Sequence, residues 1–80
     1  MSRFYFDLIW RGRRIPDETG LDLKPGLAVR NAAINAAAEH AIDVSPDEQG
    51  VHEVQVRDAG GEVVLKVALE YGGRPEEPAL

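Results

Sequence analysis

Residues 52–71 read HEVQVRDAGGEVVLKVALEY, and this stretch decides the fold. Val54 and Val56 alternate with Glu53, Gln55 and Arg57, the period of a strand with one buried face. Asp58-Ala59-Gly60-Gly61 then supplies turn residues. From Glu62 to Tyr71 the alternation resumes: Val63, Leu65, Val67, Leu69 and Tyr71 share one face, and Val64, Lys66, Ala68 and Glu70 the other. Two alternating runs joined by a glycine-rich turn predict an antiparallel hairpin.

Upstream the period changes. From Pro25 to about Asp43 the chain is dominated by alanine, the best helix former. Pro25 suits a first helical turn, where its missing N–H is not needed. Leu27, Ile34, Ala38, Ala41 and Ile42 form one stripe at helical spacing, with Asn31 inside it, and are expected to face the sheet. Glu39, His40 and Asp43 are expected on the wet side. Ser45-Pro46-Asp47-Glu48 has the spacing of a capping box and reads as one helical turn in a loop.

The N-terminal segment is a second hairpin. Phe4, Phe6, Leu8 and Trp10 fall on one face of a strand, and Arg3, Tyr5, Asp7 and Ile9 on the other. Arg11-Gly12 turns the chain, and Arg13 to Pro16 returns as a short edge strand, since Pro16 cannot donate to a ladder. Asp17-Glu18-Thr19-Gly20 is a turn in which Asp17 accepts from N–H groups ahead of it. Leu21 and Leu23 pin the following loop to the core.

The order is β-β-α-β-β. The expectation is a single two-layer α+β domain over residues 1–71, with residues 72–80 a frayed tail. A four-stranded antiparallel sheet carries one helix on one face, with strands ordered 2-1-3-4. Eighty residues without cysteine are expected to form at most one domain, stabilised by packing or by packing plus self-association, with no disulfide or thiolate–metal staple.

The net charge of −5 is uneven: residues 1–16 carry about +3 and the remainder about −8. An acidic protein is repelled by the phosphate backbone, which disfavours general nucleic-acid binding. No apolar run is long enough for a signal h-region or a membrane span. The absence of cysteine fits a cytoplasmic setting.

Arg3-Phe4-Tyr5-Phe6-Asp7-Leu8, Ile15-Pro16-Asp17-Glu18-x-Gly20, the alanine-rich helix, and Val54-x-Val56-x-Asp58-x-x-Gly61-x-Val63-x-Leu65 occur in that order. Together, over roughly residues 3–71, they resemble a family of short, mostly alphaproteobacterial proteins known as a domain of unknown function. Asn31 and Asn35 depart from that pattern, standing where more charge is expected. The resemblance implies the same small α+β fold and a bacterial cytoplasm; it carries over no catalytic residue.

No cluster reaches a catalytic, metal or cofactor signature, so none of these is expected. Two separated histidines make a poor zinc site, and His52 reads as surface. Asp17, Glu18 and Asp22 lack the spacing of a calcium loop. Gly60-Gly61 has no following helix or lysine to make a phosphate loop, and Ser45 is better explained as a cap. Two surfaces remain. The first is the sheet face away from the helix, with Tyr5, Ile9, Val64 and Ala68 among Lys66, Gln55 and Glu53, which suits a protein partner or a homodimer. The second is the turn bearing Arg11, Arg13 and Arg14, either an edge guarded by charge or a site for phosphate or single-stranded RNA. The expected function is a non-enzymatic interaction module, self-associating through the uncovered face or an edge. The alternative is a nucleic-acid or phosphate-ligand binder on the basic first hairpin.

Overall fold

The computed structural model describes residues 1–43 and 49–72. It contains strands β1 (Ser2–Trp10), β2 (Arg13–Ile15) and β3 (Leu21–Leu23), helix α1 (Leu27–Asp43), and strands β4 (Gln49–Arg57) and β5 (Val63–Gly72). The sheet runs β2-β1-β4-β5 with every pairing antiparallel, the expected order. A fifth short strand is added: β3 pairs with the N-terminal half of β1, Phe4 opposite Leu21. Leu21 and Leu23 therefore pin the loop through backbone pairing. Leu23 also packs on the core, while Leu21 stays exposed. The capping-box turn at 45–48 and residues 73–80 of the expected tail lie outside the described residues.

The core is the predicted inner face of the sheet: Phe4, Phe6, Val54 and Val56, with Leu8, Leu65 and Val67 packed around them. The helix meets it differently from the pattern. Its buried stripe is Val29, Ala33, Ala37 and Ala41, spaced four apart on one helical face. Leu27 is 69% exposed and Ile34 42% exposed. The reason is size. Alanines let the helix axis approach the sheet, so the line of small residues wins the contact over the line of large ones.

The helix sits over β4 and β5 more than over β1. Ala32, Asn35, Ala36 and Glu39 line the groove on its β1 side, beside Phe6. At 100° per residue, Leu27 and Ile34 then fall on the opposite flank, toward β5. A register shift between Val56 and Arg57 leaves Val64 as an extra residue, so Val63 faces Arg57 and the strict alternation of the sequence breaks there.

Candidate functional site

The outer sheet face is built around Asp7. Alternation aims this residue away from the helix, yet it is fully buried. Arg57 donates from Nε at 2.6 Å and from a terminal nitrogen at 3.0 Å. Arg14 donates at 2.5 Å, and the backbone N–H of Asp17 at 2.9 Å. Arg57, the largest influence, holds the Asp7 carboxyl down at about 2; burial opposes it, and the Asp17 N–H and Arg14 add to it. A carboxylate saturated in this way stays ionised and rigid, which suits a structural anchor better than proton transfer.

Asp17 extends the clasp. It stands in the gap between β2 and β3, where among the described residues β1 has no strand partner on that side. Its carboxylate accepts the Phe6 N–H at 3.0 Å, replacing the missing ladder bond. It also accepts from Thr19 and Gly20, the turn role read from the sequence. Burial resists ionisation, but the Phe6, Gly20 and Thr19 amides outweigh it and lower the Asp17 pKa. Gly20 has φ +74°, and a Cβ there would lie 3.0 Å from the Phe4 carbonyl oxygen. Glycine lets the loop close onto β1 here without the strain and crowding that a Cβ would bring.

The expected surface residues are placed as follows. Tyr5 and Ile9 are half-buried on the outer face, with Tyr5 beneath the Arg57 guanidinium at 5.0 Å. Val64 and Ala68 are exposed. In register, Ile9 lies opposite Glu53 and Glu53 opposite Ala68. The polar outward residues of β4 thus stand between the apolar residues of β1 and β5. Val64 instead borders an open cleft of about 600 Å³ at the N-terminal end of the helix, with Phe4, Val29 and Leu65. Arg11, Arg13 and Arg14 are all exposed. Arg14 is engaged by Asp7 and Gln55, and Arg11 lies over the Trp10 ring at 5.0 Å.

Two histidine readings are corrected. His52 is 1% exposed, on the inner face beside Val54, and not at the surface. His40 is half-buried and not wet: its Nδ1 is 2.9 Å from Nδ1 of His52. Trp10 stacks on His52 with ring centroids 4.0 Å apart and planes 6° apart, and meets His40 edge-on. The polar pair fills the end of the core where the alanine helix leaves room. Among the described residues no group of three or more histidine, cysteine or acidic side chains is placed to hold a metal ion, and no helix is long and apolar enough to cross a membrane.

The remaining surface is the β5 edge. Among the described residues β5 pairs with β4 alone. Lys66 and Glu70 are its only charged residues. Leu69, on the helix side opposite His52, is 36% exposed, and Val63 and Val64 are 44% and 50% exposed. The expected strand order already put this strand at the sheet edge; what the sequence did not show is that it lies beside the uncovered Leu27–Ile34 flank.

The chain matches the model of a family described as Domain of unknown function (DUF6894) over residues 3–70, and it belongs to that family. No curated protein and no solved structure matches it.

Proposed function

We propose, taking membership of that family as the premise, that the domain is a small non-enzymatic interaction module that binds a protein strand along β5. One observation carries this reading: among the described residues β5 has no partner on its outer edge, and it lies beside an apolar helix flank, Leu27 and Ile34, that stays exposed. An edge of this length is normally blunted by charge, proline or a covering loop. β5 has only Lys66 and Glu70. Strand addition would satisfy its outward N–H and C=O groups, and a second layer would cover the flank. A cysteine-free chain suits the reducing cytoplasm in which we place the module.

The outer face supports the reading less, because Glu53, Gln55 and Arg57 divide its apolar residues. An anion-binding role for the first hairpin is supported less, since Arg14 is committed to Asp7.

Amide hydrogen exchange tests the proposal. In dilute purified protein the outward amides of β5 should exchange at loop-like rates, and in concentrated protein or native lysate they should be protected. Rates that never slow under either condition would remove the proposal.

A further inference from the structure

Resting on that reading, we infer that the partner of β5 is β5 of a second copy, antiparallel, about a two-fold axis through the Ala68–Ala68 pair. In antiparallel self-pairing the axis passes through a pair of identical residues, and facing residues point to the same side of the sheet. The register is therefore set by which residue meets itself. Every such register closes the ladder, so the side chains choose among them.

Lys66 and Glu70 both point to the outer face, opposite Gln55 and Val51 of β4. Centring on either residue sets a charge against its own copy, which is unfavourable. Centring on Val67 places Lys66 against Ala68 and Glu70 against Val64. Centring on Leu69 places Lys66 against Gly72 and Glu70 against Ala68. Only Ala68 at the centre sets Lys66 of each copy opposite Glu70 of the other, forming two opposite-charge pairs. On the helix side the same register places Val67 opposite Leu69. Ala68, small and exposed, meets itself without a clash.

The apolar flank agrees. An axis perpendicular to the sheet keeps both helices on one face. The Leu27–Ile34 flank lies on the β5 side of each helix, so the two flanks approach across the seam. The helix stripe that the monomer leaves wet becomes the second layer of the dimer. The overall charge of −5 per chain opposes association weakly at ordinary salt, where it is screened beyond about 8 Å.

Sedimentation equilibrium of the full chain over a concentration series, with K66E, E70K and their equimolar mixture, tests the register. K66E leaves two acidic residues on the edge, and E70K leaves two basic ones. Each variant alone should dimerise at least about tenfold more weakly than wild type, and the mixture should recover to within about threefold. Both substitutions lie on exposed positions, and circular dichroism checks that each variant is folded. Variants that dimerise like wild type, or a mixture that does not recover, overturn the Ala68-centred register while leaving strand addition standing. A wild-type chain that stays monomeric at every concentration overturns self-pairing altogether, and protection of β5 amides in lysate then separates that failure from failure of the strand-addition reading.

Discussion

Arg57 reaches fifty residues back along the chain to grip Asp7 with two hydrogen bonds, of 2.6 and 3.0 Å. The same guanidinium donates to the Asp17 carbonyl at 3.2 Å and covers Tyr5. One side chain of β4 thus ties together β1 and the loop that carries β2 into β3. Removing one member of a buried ion pair strands its partner. Asp7→Asn should destabilise the fold by about 3 kcal/mol, near the low end for buried pairs, because both arginines can regain water. Arg14→Ala should cost under about 1 kcal/mol, since Arg14 is nearly half exposed. Urea unfolding curves of the two variants check the ranking.

Acid should open the same clasp. The Asp7 pKa is lowered from 3.8 to about 2 in the folded domain. A lowered folded-state pKa contributes stability that is present above the unfolded value and lost as pH falls through the folded one. Asp17 shifts in the same direction. Stability should therefore be level above about pH 5 and decline toward pH 2, with Asp7 accounting for about 2 kcal/mol of the decline. Urea midpoints measured from pH 7 to 2 give the slope. In Asp7→Asn that slope should be visibly flatter.

Gly12 and Gly20 share a φ of +74° but not their surroundings. A Cβ at Gly12 meets nothing within 4 Å, whereas at Gly20 it meets Arg3, Phe4 and Tyr5 atoms at 3.0 Å. Gly12→Ala should carry only the left-handed backbone penalty, about 1 kcal/mol. Gly20→Ala should cost at least about 1 kcal/mol more, because the Phe4 carbonyl oxygen is backbone and cannot step aside. Thermal denaturation of the pair isolates the steric part, since the backbone part is common to both.

Alternation in residues 52–71 and 4–10 made the sheet and its order legible, because one face of each strand is buried and fixes the register. The helix was legible as an element but not as a face. Hydropathy favoured Leu27 and Ile34, whereas close packing favoured the smaller line from Val29 to Ala41. Asp7 was assigned to the outer face correctly, yet its burial depended on Arg57, far away in sequence and next to nothing that pattern reading inspects. His40 and His52 were hidden in the same way: each looks polar and local, and their meeting is set by helix placement over β4. The ordered residues Asp17 and Gly20 did declare their turn, but not that Asp17 replaces a ladder bond.

Trp10 supplies a last measurable consequence. Its ring lies flat on His52 and close to Gly50, whose φ is +149°. A Cβ on residue 50 would stand 2.8 Å from the Trp10 Cζ3 atom, nearer than side chains tolerate. In Gly50→Ala either the indole slides off the imidazole or β4 bends away from β1. Both routes loosen the end of the core where His40 and His52 meet at 2.9 Å. The expected loss is about 1–3 kcal/mol for overpacking a filled site, with a further backbone penalty because residue 50 holds φ +149°, a conformation that suits glycine. The near-ultraviolet circular dichroism of the single tryptophan should fall while the far-ultraviolet signal stays. If the near-ultraviolet band were unchanged, the close approach of Gly50 to Trp10 would have no part in holding the ring on His52.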